Sequence, residues 1–497
     1  MESLELLLGG LVHVAQPSYL LYAFIGCALG TLIGVLPGIG PAAGTAILIP
    51  VTSALDPTGS IIMLAAIYYG AMYGGTITSV LINTPGEAAS AVTCLDGYEM
   101  AKQGRAGPAL AVAAIGSFIG GIVSTLGLVL LALPLTRLAL TFGPPEIFAL
   151  LVVGLSMVTA LASRSVVRAM IAALIGLLLA QVGVDPVMGM DRFTFGRLEL
   201  LDGFNIIPVV MGLFGITEIL TNAERKAGAI FAPSVGSLYL RKEDARASAM
   251  PIARGTVIGF VLGLVPGLGS MIPTFLSYAV ERRVSKTPER FGKGAIEGVA
   301  GPETANNAYA NAALIPLFTL GIPASPTTAV LMGAFMVNGL VPGPSLFVDH
   351  AAFVWAVIAS LLVGNVILLI LNLPLIPFWV RMLRIPYPIL VTIILCFCVI
   401  GVYSVNNNAF DIGVMLAFGI VGYLFKKLDI PAAPLVLTLI LGPLMERGLR
   451  QSLEMSGGAF GIFLERPLTL GLLSVAAVVL LSSSLRIFRT VKADSEV

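Results

Sequence analysis

Charged residues are scarce in this sequence: 28 Lys and Arg and 27 Asp and Glu among 497 residues, 11% in all, with a net charge of +1. So little charge does not cover a soluble globule of this size, and its near balance offers no basic face for nucleic acid. Histidine is scarcer still, with only His13 and His350, both read as interfacial. There is no His-Glu-x-x-His, no Gly-x-Ser-x-Gly and no Walker loop, which argues against an intramembrane protease, a hydrolase or an ATP-driven machine. The four cysteines, Cys27, Cys94, Cys396 and Cys398, lie in or beside apolar stretches, and the last two are too close for an ordinary disulfide, so they read as packing residues. The opening Met-Glu-Ser-Leu-Glu lacks a basic n-region and a small-residue cleavage site, so the mature chain is expected to begin at Met1. What the sequence has in quantity is apolar surface, 57% hydrophobic residues with a mean hydropathy of +0.98. That composition predicts an all-α polytopic membrane protein, because a spanning helix satisfies its own backbone.

Two proline-glycine knots interrupt the apolar runs. Residues 34–41 read Gly-Val-Leu-Pro-Gly-Ile-Gly-Pro and residues 263–270 read Gly-Leu-Val-Pro-Gly-Leu-Gly-Ser. Pro37, Gly38 and Gly40 thus recur as Pro266, Gly267 and Gly269 at a constant offset of 229. Proline removes a backbone donor and glycine admits dihedrals closed to other residues, so the helix opens at each knot. Open backbone at bilayer depth persists where protein covers it or where it lines a watery cavity, and a matched pair of interruptions marks a transporter's binding site.

In order, the chain predicts an interfacial helix at 3–16, a re-entrant hairpin at 18–55, spans near 60–83, 108–133, 146–162, 166–184 and 205–221, and a polar linker. A second hairpin at 255–280 follows, then spans near 303–320, 351–373, 387–405, 410–425, 432–446 and 467–485, about 11–12 spans in all. The repeat extends past the knots, with Pro85, Pro134 and Pro186 matched by Pro323, Pro374 and Pro431. The units are therefore repeat 1 at 1–222, a cytoplasmic linker at 223–254, repeat 2 at 255–450, and a last span and cytoplasmic tail at 451–497. Five full spans between the hairpins invert the second repeat relative to the first. Basic residues follow the same alternation, with Lys102, Arg105, Arg168, the 222–254 and 281–293 loops, Lys426, Lys427 and the tail on one side. The 185–204 and 447–466 loops are exceptions, carrying arginines on the other side.

Each repeat has a second break, at 82–87 and 320–328. Backbone N–H groups freed at the start of the next half-helix suit anionic oxygen. The candidate substrate site is therefore Pro37, Gly38, Ile39, Gly40, Asn83, Thr84, Pro85 and Gly86 with Pro266, Gly267, Gly269, Pro323, Ala324, Ser325 and Thr327. A kinked span whose Pro and Gly merely ease packing is the alternative for any one break. Before the second break, Gly301 and Pro302 read as a helix start, and Asn307 and Asn311 share a face beyond it. Their repeat counterparts are Tyr69 and Tyr73. Amide carbonyls suit a hard cation, so Asn306, Asn307, Asn311, Tyr69, Tyr73, Glu87 and Glu303 are candidates for ion coupling, against a packing role as interhelical glue or, for Glu303, as a dipole-complementing acid. No metal or cofactor site is expected. The Gly-x-Gly of the knots lacks the strand of a dinucleotide fold.

The first knot, residues 68–87 (Tyr-Tyr-Gly-Ala-Met-Tyr-Gly-Gly-Thr through Asn-Thr-Pro-Gly-Glu), Asp-Gly-Tyr at 96–98 with the Lys102–Gly107 stretch, and residues 301–311 together resemble the large membrane subunit of the tripartite tricarboxylate transporters. The resemblance covers nearly the whole chain. It implies a bacterial inner-membrane secondary carrier taking up citrate-like or other carboxylates with sodium or protons. It also implies two partners, a small membrane subunit of about four helices and a periplasmic solute-binding protein. A stand-alone carrier or channel for organic anions and an intramembrane enzyme are the competing readings.

Overall fold

The computed structural model describes residues 2–36, 39–161, 165–185, 188–224, 235–382 and 387–494. Helix α1 (Glu2–Val14) leads into α2 (Pro17–Val35), α3 (Gly40–Thr52) and α4 (Pro57–Ile82). Then come α5 (Thr93–Lys102), α6 (Ala106–Ala139), α7 (Pro144–Leu161) and α8 (Val166–Leu179). A two-stranded ribbon pairing Gly183–Val184 with Asp191–Arg192 precedes α9 (Ile206–Val210), a π-helical turn at Met211–Ile216 and α10 (Thr217–Ala223). The second half runs α11 (Lys242–Gly263), α12 (Met271–Val284), α13 (Glu297–Ala312), α14 (Leu314–Leu320), α15 (Pro326–Val337), α16 (Pro344–Asp349), α17 (Ala351–Asn372) and α18 (Ile376–Met382). It closes with α19 (Tyr387–Asn406), α20 (Ala409–Lys427), α21 (Ala433–Met455), α22 (Ile462–Glu465) and α23 (Pro467–Asp494). The protein is all-α and polytopic. Among the described residues six helices are long and apolar enough to cross a bilayer unaided, namely α2, α4, α6, the Ile206–Ala223 segment, α17 and α20.

Two helices form the centre. From Gly59 to Leu81 every residue of α4 is buried, and so is every residue of α13 from Gly298 to Ala312. Helix α4 starts on Asp56, whose carboxylate accepts from the Gly59 N–H at 3.1 Å, with Pro57 in the first turn. It stops at Asn83, which turns left-handed at φ 53°, and the α13–α14 pair stops the same way at Gly321, φ 69°. Each centre helix is clasped by a hairpin arm through small residues. In α2, a Cβ added at Gly26, Gly30 or Gly34 would meet the carbonyls of Met63, Ile67 and Ala71 at 2.5, 2.4 and 2.2 Å. In α11, a Cβ at Gly255, Gly259 or Gly263 would meet the carbonyls of Gly301, Ala305 and Tyr309 at 2.3, 2.3 and 3.0 Å. Backbones this close require glycine, and the two stripes are separated by the same 229 residues as the knots (26 to 255, 30 to 259, 34 to 263).

Five features differ from the sequence reading. Helix α2, at 19 residues, is long enough to cross alone, so the first hairpin joins a full helix to the 13-residue α3 instead of two short arms. Helix α11 begins at Lys242, inside the region read as linker, because Glu243 and Asp244 favour a helix start and Arg254 is held by Glu281 of α12 through Nε at 2.7 Å. Helix α6 continues through Pro134 to Ala139, and α21 continues to Met455. Helix α13 begins at Glu297, so Pro302 is interior and Glu303 sits beyond the first turn, too deep to complement the dipole.

Candidate functional site

Every helix start leaves N–H groups without an intrahelical partner. Several such starts face one cavity of about 530 Å³. The start of α3 contributes Ile39, Gly40, Pro41, Ala42 and Ala43; the start of α12 contributes Gly267, Leu268, Gly269, Ser270, Met271 and Ile272. Neither start carries a side-chain cap, so N–H groups at Gly40, Ala42, Met271 and Ile272 are available to a ligand. Helix α15 adds Ser325, Pro326 and Thr327, although here Ser325 accepts from the Thr328 N–H at 3.2 Å and satisfies part of the end itself. Glu87 and Ala88, just after the first break, complete the ring.

The second knot is fastened to the second break by one carbonyl. Ala324 accepts from the Gly267 N–H at 3.1 Å, the Gly269 N–H at 3.4 Å and the Tyr309 hydroxyl at 2.8 Å. The geometry needs glycine: φ is 82° at Gly267 and 69° at Gly269. In the first half, Gly86 lies against the end of α2, where a Cβ would stand 2.2 Å from the Gly34 carbonyl.

Of the candidate substrate residues, Ile39, Gly40, Gly267, Gly269, Ser325 and Thr327 line the cavity. Asn83, Thr84, Pro85, Gly86, Pro266, Pro323 and Ala324 lie outside the lining and shape the bends that aim it. Pro37 and Gly38 lie outside the described residues.

The ion-coupling candidates divide. Glu87 faces the cavity, and the Asn306 amide donates to it at 2.6 Å. Glu303 lies behind, accepting from the Thr76 hydroxyl at 2.7 Å and from Thr93. The other four are absent from the lining. Toward α6, Asn307 donates to Ser117 at 2.7 Å and Thr125 donates to Asn311 at 3.3 Å, while the Asn311 amide donates to the backbone carbonyl of Asn307 within α13 at 2.9 Å. Tyr69 and Tyr73 reach α17 at the Ser360 carbonyl and the Asn365 amide oxygen, 3.5 and 3.4 Å. A four-residue spacing gives a shared face but not its neighbour, and here the neighbour is another helix. Asn307→Ala and Asn311→Ala are accordingly expected each to lose an interhelical contact contributing about 0.6 kcal/mol on average, seen as a lower melting temperature, with half-saturation for ion and substrate unchanged. Raised half-saturation at unchanged melting temperature would contradict this placement.

Residues not singled out from the sequence close the cavity: Met72, Leu213, Phe214 and Thr217 from α4 and the π-turn region, Glu218, and Lys426 at the end of α20. Among the described lining residues Lys426 is the cation, paired with Glu218 at 2.8 Å. Ile430 and Pro431, with Ala432 and Ala433 at the start of α21, face the same space. A larger cavity of about 620 Å³ lies near the ribbon, but its Arg192 and Arg450 already bond Asp185 and Glu446.

The family described as "Tripartite tricarboxylate transporter TctA family" matches residues 20–437. The chain belongs to the TctA family. As such it is a membrane component of a transporter. Two Agrobacterium vitis proteins are similar in sequence. The "Uncharacterized 52.8 kDa protein in TAR-I ttuC' 3'region" is 48% identical over 470 residues, 94% of this TctA-family chain and 93% of the relative. The "Uncharacterized protein in TAR-II ttuC' 3'region" is 48% identical over 220 residues, 44% of this chain and 91% of the relative. No solved structure gives a significant match to this TctA-family chain.

Proposed function

We propose that this TctA-family protein is the translocating subunit of a secondary carboxylate importer, with citrate-like tricarboxylates or related organic acids bound between the starts of α3 and α12. The observation that carries the reading is the pair of uncapped helix starts, one from each knot, open to a single cavity. Partial positive charge and free N–H donors converge there from both sides, an arrangement suited to carboxylate oxygens. Uptake is driven by sodium or protons across the bacterial inner membrane, with substrate delivered by a periplasmic binding protein and a small four-helix subunit alongside. Reconstitution with both partners, followed by uptake of radiolabelled citrate and succinate, tests the reading. Accumulation against a gradient is expected, and flux at channel rates without any imposed ion gradient would overturn it.

The two halves are proposed to be inverted in the membrane, as the basic loops indicate. Lys242, the first residue of α11, then faces the cytoplasm and Asn407, in the left-handed turn between α19 and α20, faces the periplasm; both are exposed. Cysteine introduced at each position in a cysteine-depleted background is expected to react with an impermeant maleimide from opposite sides. Labelling of both from one side would refute the inversion.

A further inference from the structure

Beside the cavity lie two carboxylates that no cation offsets. Glu87 is 7% exposed and borders the cavity; Glu303 is 1% exposed and lies behind it. Asn306, fully buried, stands between them: its amide nitrogen donates to Glu87 at 2.6 Å, its amide also contacts Glu303, and its carbonyl oxygen is buried without a partner. Among the described residues, the groups in hydrogen-bond or electrostatic contact with the pair are neutral. They are Tyr68 and Thr76 of α4, Ser90 at the turn before α5, Thr93 and Cys94 of α5, and Asn306 of α13. Lys426, across the cavity, is held by Glu218. Among the described residues no ion pair reaches Glu87 or Glu303.

Two neighbouring carboxylates with one bridging amide and no counter-charge cannot both stay ionised in a low-dielectric interior. The pair is relieved either by a proton or by a bound cation. The surroundings suit one proton on the pair: the unpartnered Asn306 carbonyl oxygen is an acceptor for the hydrogen of a neutral carboxyl, while the Asn306 amide and the hydroxyls of Thr76 and Thr93 donate to carboxylate oxygens and stabilise the charge that stays. A bound cation would instead need the Thr76 and Thr93 hydroxyls and the Asn306 amide turned to present oxygen in place of hydrogen.

Resting on the importer reading above, we propose that Glu87 and Glu303 share one transported proton and that this proton is the coupling ion. It reaches the Glu87 carboxylate when the cavity is open to the periplasm, is shared with Glu303 through Asn306, and leaves to cytoplasmic water when the cavity opens inward. A substrate carboxylate at the starts of α3 and α12 repels charge on Glu87, so substrate binding favours protonation, and release restores the ionised form. Proton and anion affinities are then linked, each strengthening the other.

The test uses proteoliposomes holding the chain with its small membrane subunit, with the binding protein added and radiolabelled citrate and succinate as probes. An acid-outside pH gradient without sodium is expected to raise accumulation about tenfold over equilibrated vesicles, and a sodium gradient at equal pH to leave it unchanged. Glu87→Gln and Glu303→Gln are each expected to lose that accumulation, with residual flux no longer responding to the pH gradient. A merely structural role would slow flux while keeping its pH response. Sodium-driven accumulation indifferent to pH, or pH-driven accumulation surviving in both variants, would overturn the proposal. The wild-type gradients decide between proton and sodium even where a variant does not insert. Absence of transport of both probes, including exchange between equal pools, would instead sink the importer reading and this inference with it.

Discussion

Gly267→Val is expected to abolish uptake while the protein still inserts and purifies as a folded species. Gly267 holds φ 82°, and its N–H is one of three donors on the Ala324 carbonyl. A β-branched residue in the left-handed region is strained by about 1–2 kcal/mol or more, so the knot relaxes toward negative φ and pulls away from the second break. The start of α12 then moves from its place opposite the start of α3. Displacement of a binding group by about 1 Å is enough to cost roughly 100-fold in rate, so transport is lost well before the fold is. Gly236, also at positive φ with open space around it, is the control: Gly236→Val carries similar local strain but is outside the cavity lining. Uptake near wild type in Gly267→Val would mean that the knot only packs helices.

The second large effect is on folding. At Gly30 and Gly259 an added Cβ would lie 2.4 and 2.3 Å from a backbone carbonyl, so nothing flexible can yield. Alanine at either position forces α2 off α4, or α11 off α13, with an overpacking cost of about 1–3 kcal/mol, and leucine more. Gly30→Leu and Gly259→Leu are each expected to abolish the monodisperse peak in size-exclusion chromatography, and the alanine variants to melt several degrees lower. Gly9, with nothing within 4 Å of its added Cβ, tolerates the same change. Equal behaviour of Gly9→Leu and Gly30→Leu would contradict the clasp between hairpin arm and centre helix.

Much of this arrangement was legible because backbone demands leave residue-type signatures. Pro and Gly together in an apolar run mark the opened helices at the knots of 34–41 and 263–270 and the breaks of 82–87 and 320–328, although Gly301-Pro302 and Gly442-Pro443 lie inside continuous helices. The side on which a polar residue falls was not legible. Asn306 and Asn307 are neighbours in sequence, yet one meets Glu87 and the other Ser117, because α13 is buried all round and has no solvent face to fix the phase. Glu303 was misplaced by the reading of Pro302 as a first-turn residue, when the helix begins at Glu297 and accommodates the proline inside. The π-turn at Met211–Ile216 has no sequence signature, and it carries Leu213 and Phe214 into the cavity. Lys426 read simply as loop charge, since its pairing with Glu218 spans more than 200 residues of chain.

The most direct test of the account is a density map of the complex with citrate present. The account predicts ligand density in the cavity between the start of α3 at Gly40–Ala43 and the start of α12 at Ser270–Ile272, with carboxylate oxygens within about 3 Å of backbone nitrogens on both. Density in the cavity near Arg192 and Arg450 instead, with the starts of α3 and α12 empty, would contradict it.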